Sequence, residues 1–374
     1  MNNIELFYFL GKCLSLGDNE KKDQELIRTI RQGKVDWERF VVVASNHLVL
    51  PSVYLRFKQK GIIQDLPTGL GEHLKMVYEL NYQRNTTILS QINRINQLFA
   101  KAGIIPVYLK GTGNLLDYLY EDVGERMCGD IDLMVSDAEF IQSVDLLKAG
   151  GYEHYHPFFN DEQSVTKHFP RLSHSSELAD VEVHRVPVDV GLSTHFNYTI
   201  IRPEIKLVDT APQCYVLSDQ HKVILNFMHG FMDKNIRVMH MVSFRNMVDL
   251  FFLSRRVDVY KVFSEQTQYA SKALVYADFV NHIMGIANSS APGIKSKRFI
   301  RQHDLLLKSK FWFRFRWLTS YLVLRIWSGY ICNAAGVFFS KRIRRTVFLS
   351  LSNPSWYKRH LKSYTDSIKY IYTK

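Results

Sequence analysis

The sequence predicts an α+β fold, in which a small mixed β-sheet is flanked by N-terminal and C-terminal helical segments. Apolar residues recur at spacings of three and four along residues 1–100, as in amphipathic helices. Short strand-like runs, separated by turn residues and helical patterns, follow along 101–205. Helical spacing then returns along 206–292, and a basic tail occupies 293–374. We therefore expect a helical N-terminal region, a sheet core, a helical region packed on that core, and a helical tail.

The composition is that of a folded protein of enzyme size. The chain has 374 residues, of which 46% are hydrophobic and 22% charged, which excludes wholesale disorder and a polytopic membrane protein. The four cysteines lie far apart and form no CxxC pair. We therefore expect a reducing compartment and no structural zinc site. The N-terminus shows no signal-peptide pattern, so we expect a cytoplasmic protein.

The predicted helices lie on both sides of the core. The stretch DWERFVVVASNHLVLPSVYLRF and the stretch from Glu72 to Ala100 carry apolar residues at helical spacing and few strand signals. After the core, helical patterns run from Ser218 to Leu253 and from about Ser264 to Ile286. These segments are expected to cover the sheet.

The core contains three predicted strands. From Ile104, IIPVYL predicts a short buried strand, KGTGN a turn, LLDYLY the start of a helix, and DIDLMV a second strand. A helix from Asp137 to Ala149 precedes ADVEVHRVPVDV, which alternates as a third strand with an extension. The predicted order is therefore strand, turn, helix, strand, helix, strand.

Two of these strands carry acids on one face. Alternate residues of a strand share a face, so Asp130 and Asp132 point the same way while the residue between them, Ile131, points into the core. Two carboxylates this close repel each other unless a cation lies between them. The third strand can add a further acid, for which we choose Glu182, with Asp180 as the rival. Three such acids can hold two divalent metal ions, Mg²⁺ or Mn²⁺.

A glycine-bracketed turn precedes the acid pair. Lys110, Gly111 and Thr112 stand between a strand and a helix, where backbone N–H groups and the helix N-terminus can hold phosphate. The pattern is neither a Walker A loop nor GxGxxG. Arg126, four residues before Asp130, can add a planar charge for phosphate oxygens, and Lys110 can add a second charge. Alternatively, Lys110 is a solvated strand end and Arg126 pairs with a nearby surface acid.

These motifs together resemble the nucleotidyltransferase superfamily. The order is a KG turn, then R-x-x-G-D-I-D-L, then V-E-V-H, and it resembles more narrowly a group of bacterial nucleotidyltransferase-like proteins of largely uncharacterised role. The resemblance covers roughly residues 36–255, including LSDQHKVILNFMHGF and RNMVDLFFL downstream. The superfamily usually has Gly-Ser or Gly-Gly in the turn, so Thr112 departs from the pattern.

The resemblance implies an activity and a set of roles. It implies transfer of a nucleoside monophosphate from an NTP, such as ATP, to a hydroxyl or phosphate acceptor, with release of pyrophosphate. Asp130, Asp132 and Glu182 take the metal-ligand and catalytic roles, and Gly111 with Thr112 takes the phosphate-loop role. His184 is expected to hydrogen-bond at the edge of the site, and His229 and Asp249 are plausible neighbours. A catalytically degenerate nucleotide- or partner-binding protein of the same fold is the alternative.

The tail is chemically distinct from the rest of the chain. From Gly293 onward there are 18 lysines and arginines against 2 acids, so the tail has a net charge of +16. The whole chain has a net charge of +12, so the residues before Gly293 have a net charge of −4. Its aromatic and basic residues suit an anionic membrane surface or nucleic acid, and also a helical cap packed on the enzyme. Leu318 to Phe339 is long enough to span a bilayer, but Arg325 within it disfavours spanning. A membrane-surface adaptor at the inner membrane is therefore a further alternative.

Overall fold

The chain forms two compact units, each with its own set of residues. The first comprises 1–233 and 242–300, and the second 234–241 and 301–374. The computed structural model describes residues 1–154, 167–189, 191–208, 213–233, 241–265, 268–286 and 291–326, together with isolated positions after 326.

Helices form most of the N-terminal region, as the apolar spacing predicts. They are α1 (Asn3–Leu14), α2 (Glu20–Arg31), α3 (Trp37–Asn46), α4 (Leu50–Gln59), a 3-10 turn (Ile63–Asp65) and the long α5 (Leu70–Ala100). Asn2 caps α1 through a reciprocal pair of bonds with Glu5, and Asp36 accepts a bond from Arg39 N at the start of α3. The side chains of α5 then reach the loop that leads into the sheet.

The sheet has seven strands in the described part of the chain, and it is mixed. They are β1 (Val107–Tyr108), β2 (Asp130–Met134), β3 (Glu153–His154), β4 (Leu172–Ser173), β5 (Asp180–His184), β6 (Lys206–Leu207) and β7 (Tyr215–Val216). Their order across the sheet is β3-β4-β5-β2-β1-β7-β6. The central pair β2–β5 is parallel, β1–β2 is antiparallel and β1–β7 is parallel. The predicted α+β class with a small mixed sheet is therefore confirmed.

The two longest strands bury one face and present the other to the site. Ile131, Leu133, Val181 and Val183 are fully buried and belong to one hydrophobic cluster that also includes residues of α5. The intervening residues of β2 and β5 are polar, so the alternation in DIDL and DVEVH divides core from site as predicted. The predicted extension of the third strand is wrong, because β5 ends at His184.

Helices pack around the sheet within the first unit. They are α6 (Lys110–Leu116), α7 (Phe140–Ala149), α8 (Tyr198–Ile201), a 3-10 turn (Arg202–Glu204), α9 (Asp219–Gly230), α10 (Phe244–Leu253), α11 (Val259–Glu265), α12 (Ala270–Met284) and the first part of α13 (Ile294–Lys308). The KGTGN segment is not a separate turn. Lys110 takes φ 48°, a left-handed value, so one residue makes the bend and α6 begins at once.

The second unit contains the end of α13 and α14 (Lys310–Ile326) in its described part. The helical pattern predicted for the tail is found over these residues. Half of the segment from Leu318 to Phe339 that was considered as a membrane span lies outside the described residues. Within the described ranges, no helix combines the length and the apolar character that crossing a membrane requires.

Candidate functional site

The parallel pairing of β2 with β5 sets two acids side by side. Asp132 stands opposite Glu182 in the register, and Asp130 stands opposite Asp180. Neighbouring strands lie about 5 Å apart, so opposite side chains on one face are in reach of each other. Asp132 and Glu182 are only 3% and 6% exposed. The hydroxyl of Ser173 donates to the Asp180 carboxylate over 2.6 Å. The structure thus brings Glu182, the preferred third acid, next to Asp132.

His184 completes a compact group of possible metal-binding atoms. Its Nε2 lies 2.8 Å from Oδ1 of Asp132 and 3.5 Å from Oε2 of Glu182, and its ring is fully buried. One ligand atom from each of these three residues lies within 4.8 Å of the others. The expected hydrogen bond of His184 at the site is present. Its imidazole also places it among the candidate metal ligands, where the sequence-based assignment had only acids.

Two cations contact the acids directly. Lys110 Nζ lies 2.5 Å from Oδ1 of Asp132. Arg171 donates through Nε to Glu182 over 2.7 Å and through Nη2 to Asp130 over 2.9 Å. These contacts give every carboxylate of the predicted set a protein cation. Lys110 is therefore not the solvated strand end that was considered.

The position of Arg171 follows from strand register. Leu172 of β4 pairs antiparallel with Val181 of β5, so continuing that register by one residue sets Arg171 opposite Glu182. Sequence reasoning missed Arg171 because it did not identify the two-residue strand β4. A strand of two residues is too short to show alternation, so the sequence held no signal for it.

These contacts move the carboxyl pKa values in opposite directions. Burial alone would raise the pKa of Asp132, but Lys110 and His184 together hold it well below its ordinary value. Burial likewise opposes ionisation of Glu182, yet the bonds from His184 and Arg171 lower its pKa to about 2. The pKa of Asp130 is raised by burial and by the neighbouring Asp132 charge. The two acids of DID are therefore chemically different groups.

The loop before β2 is held by α5. Asn85 donates to the carbonyl oxygens of Val123 and Arg126 over 2.6 and 2.7 Å. Arg84 donates to the carbonyls of Cys128 and Gly129, each over 3.0 Å. Because these bonds hold four carbonyl groups between Val123 and Gly129, α5 determines where Asp130 enters the sheet.

Arg126 is tied to a distant acid. Its guanidinium donates through Nε and Nη2 to the two carboxylate oxygens of Asp249, over 3.0 and 2.8 Å, and through Nη1 to the Met127 carbonyl over 2.6 Å. Burial disfavours the charge of Arg126, but Asp249 outweighs it and raises the arginine pKa. The pairing with a neighbouring surface acid that we considered is therefore wrong, since the partner is on α10. A phosphate role for Arg126 stays a prediction.

The glycine segment lies at the base of the site. A Cβ on Gly111 would lie 3.0 Å from Cys128 Sγ and 3.1 Å from Arg126 Nη1, and one on Gly113 would lie 2.5 Å from the Tyr108 carbonyl oxygen. Glycine is therefore required at 113, where a side chain would clash with the backbone, whereas a side chain at 111 would need the side chains of Cys128 and Arg126 to shift. The Thr112 hydroxyl donates to the Leu109 carbonyl over 3.1 Å. The phosphate-loop role of Gly111 and Thr112 stays a prediction.

A cavity of about 320 Å³ opens over these groups. Gly111 lines it, whereas Thr112 is not among its described lining residues. Its charged lining includes four acids and several basic residues that sequence reasoning did not select: Lys167, His168, Arg171, Lys222 and Arg245. His229 and Asp249, which the resemblance marked as plausible neighbours, both line the cavity. The missed basic residues come from loops and helices whose distance to the acids depends on tertiary packing.

The donor set fits a divalent metal. Two carboxylates that line the cavity and one imidazole beside them lie within 4.8 Å of one another, and carboxylate oxygens suit Mg²⁺ and Mn²⁺. Asp130 is not in this compact group, so its predicted ligand role stays a prediction. For the ion to reach Asp132, the ammonium of Lys110 has to withdraw from Oδ1.

One family of known proteins matches most of the chain. A family model described as an uncharacterised nucleotidyltransferase matches residues 33–288, which is longer at the C-terminal end than the resemblance we expected. No curated protein matches the chain. The matched residues include β2, β5, α6 and all of the cavity lining. The chain therefore belongs to this family of uncharacterised nucleotidyltransferases.

Proposed function

We propose that the protein is a metal-dependent nucleotidyltransferase that moves a nucleoside monophosphate from an NTP to a hydroxyl or phosphate acceptor and releases pyrophosphate. The observation that carries the proposal is the pairing of Asp132 with Glu182 in the register of two parallel strands, beside His184 and inside a cavity with basic lining. This arrangement supports chemistry on an anionic substrate that is bound beside a divalent cation.

The roles follow from the contacts. A bound Mg²⁺ or Mn²⁺ would neutralise phosphate charge and make an acceptor hydroxyl a better nucleophile. Asp130, Asp132 and Glu182 are the proposed ligands, and His184 holds the Asp132 carboxylate in place through its 2.8 Å contact. A carboxyl with a pKa of about 2 is a weak base near neutral pH. We therefore assign Glu182 first as a ligand of the metal on the acceptor side, and only second as a group that removes the acceptor's proton. Gly111, Thr112, Lys110 and Arg126 are the predicted holders of the triphosphate.

The direct test is a screen of ATP, GTP, CTP and UTP for pyrophosphate release, with and without Mg²⁺ or Mn²⁺. We expect metal-dependent release from at least one nucleotide and its loss in Asp132→Asn, which preserves side-chain shape and removes the charge. Circular dichroism of the variant checks that the fold is intact. Undiminished turnover in a folded Asp132→Asn would refute the assigned role.

A second candidate function is nucleotide or partner binding without transfer. The observation that favours it is that Lys110 and Arg171 already neutralise Asp130, Asp132 and Glu182. In such a protein these ion pairs are permanent and no metal enters. Calorimetry with the four NTPs separates the two functions, because nucleotide binding that is independent of Mg²⁺ and yields no pyrophosphate supports this alternative.

The tail supports a separate proposal about location, namely contact with an anionic membrane surface. Four apolar side chains of α14 recur at helical spacing and are exposed, between 38% and 67%: Phe311, Phe315, Leu318 and Leu322. An apolar stripe on a strongly basic segment is typical of helices that lie in a membrane interface. We expect the full-length protein to float with vesicles that contain phosphatidylserine. With vesicles of phosphatidylcholine alone, we expect it to remain in the bottom fraction of the gradient. Phe311→Asp combined with Phe315→Asp should abolish flotation, and unchanged flotation would contradict the proposal.

A further inference from the structure

Charge pairing in the cavity is incomplete, and the imbalance is positive. Six lysines and arginines line it, against four acids: Lys110, Arg126, Lys167, Arg171, Lys222 and Arg245 against Asp130, Asp132, Glu182 and Asp249. Lys110, Arg126 and Arg171 pair with acids of the lining at 2.5 to 3.0 Å. Lys222 pairs with Asp117, which is outside the lining. This accounts for all four acids and leaves two cations.

Lys167 and Arg245 have no ion-pair partner in the described part of the chain. Neither side chain makes a hydrogen bond there, and Nε of Arg245 is buried without an acceptor. Burial lowers the pKa of Lys167, and Lys110 lowers it further. Burial also lowers the pKa of Arg245, and Arg126 adds to the effect. An unpaired cation removed from water costs free energy unless an anion binds it, so both groups are expected to have a ligand.

The surroundings of both cations identify where such an anion would lie. The charges of Asp132, Asp189 and Glu182 oppose the lowering of the Lys167 pKa, and the charges of Asp249 and Asp130 oppose the lowering of the Arg245 pKa. The Lys167 backbone is fixed by bonds from Arg185 N and Val186 N, just after β5, while Arg245 is in the first turn of α10. Both line the same cavity of about 320 Å³. An anion that contacts them is therefore held beside the acids of the site.

We propose that Lys167 and Arg245 form the binding site for a polyphosphate anion, the triphosphate of the nucleotide. This assignment rests on the proposed function. It gives the phosphate contacts that were predicted for Lys110 and Arg126 to Lys167 and Arg245 instead. Lys110 and Arg126 are occupied by Asp132 and Asp249, whereas the donors of Lys167 and Arg245 have no partner among the residues that the structure describes. An ammonium and a guanidinium together suit a chain of phosphates, since one provides a point charge and the other a planar set of donors.

The test measures binding of inorganic tripolyphosphate to the full-length protein by calorimetry, in EDTA so that no metal takes part. We expect the wild-type protein to bind it and adenosine alone to bind far more weakly. Lys167→Met and Arg245→Met should each raise the Kd by at least about tenfold, the usual size of one lost charge-assisted contact. The double variant should show no measurable binding, and Lys167→Arg should retain it.

Matched controls remove the same charges from exposed positions outside the cavity lining. Lys58→Met and Arg28→Met, both at exposed sites, should bind tripolyphosphate as the wild-type protein does. The proposal is overturned if the cavity variants bind like the controls, or if the wild-type protein does not bind tripolyphosphate at all. Intact tripolyphosphate binding without pyrophosphate release from any NTP would instead refute the transfer reaction and leave this site standing.

Discussion

Five of the six lysines and arginines that line the cavity come from two regions that differ in how their charge is balanced. Those on the strand side, Lys110 at the start of α6 and Arg126 and Arg171 beside the strands, each lie within 3.0 Å of a carboxylate. Those from the loop before β4 and the start of α10, Lys167 and Arg245, have no such partner among the described residues. The first group fixes the geometry of the acids. The second group is positioned for a ligand.

The difference separates structural charge from functional charge. A buried ion pair becomes strongly destabilising when one partner is removed, because the other charge is left in a medium that solvates it poorly. An unpaired, half-buried cation has the opposite character, since its removal leaves no orphaned charge. Substitutions in the two regions should therefore have opposite effects on stability and on binding.

The largest expected effect concerns the acids that the paired cations hold. Glu182→Gln should lower metal-dependent pyrophosphate release by at least about a hundredfold, because it removes a charge that faces Asp132 across the strands. Asp180→Asn is the matched control on the same strand, since that carboxylate accepts a hydrogen bond from Ser173 and should matter much less. Equal losses in both variants would show that Glu182 has no special position.

The next effect sharpens the contrast between paired and unpaired cations. Arg126→Met should lower the free energy of unfolding by about 3–5 kcal/mol, because it leaves Asp249 buried with an uncompensated charge. Arg245→Met should change it by less than about 1 kcal/mol. Urea unfolding of both variants and the wild-type protein measures the difference. A larger loss in Arg245→Met than in Arg126→Met would reverse the comparison.

The smallest predicted effect is a pH dependence from Lys222, a buried cation that is paired outside the lining. Burial lowers its pKa to about 8, from an ordinary value of 10.5, although Asp117 partly opposes the shift. At a pH between about 8 and 10.5, Lys222 is protonated in the unfolded chain and deprotonated in the folded chain. The free energy of unfolding therefore gains up to about 1.4 kcal/mol per pH unit from this group as pH rises.

Below pH 8 Lys222 is protonated in both states and contributes no slope. Urea unfolding at about pH 8 and about pH 10 should show this gain in the wild-type protein, relative to Lys222→Met, in which the group is absent. Parallel pH profiles of the two proteins would mean that Lys222 keeps an ordinary pKa in the folded state.

Local pattern predicted the acids well, because strand alternation is a local property. DIDL and VEVH each divide into core and site residues by the period of a strand, and the parallel register then sets Asp132 opposite Glu182. The family resemblance, carried by the same motifs, is confirmed by the match over residues 33–288. The domain boundaries at 100 and 205 and the roles of the individual site residues stay predictions.

Partners of the basic residues could not be predicted, because they depend on contacts between distant segments. Arg126 finds Asp249 123 positions further along the chain. Arg171 reaches Glu182 through a two-residue strand that is too short to leave a periodic pattern. Lys110 meets Asp132 through a left-handed backbone conformation, which no rule about lysine predicts. Packing of the helices on the sheet decides each of these contacts.

The central claim is that Asp132 and Glu182 accept a divalent cation in place of their protein partners. Mn²⁺ binding followed by electron paramagnetic resonance, with a nonhydrolysable NTP analogue present, tests it most directly. We expect saturable Mn²⁺ binding in the wild-type protein and its loss in both Asp132→Asn and Glu182→Gln. Mn²⁺ binding that is absent from the wild-type protein, or equally strong in both folded variants, would contradict it.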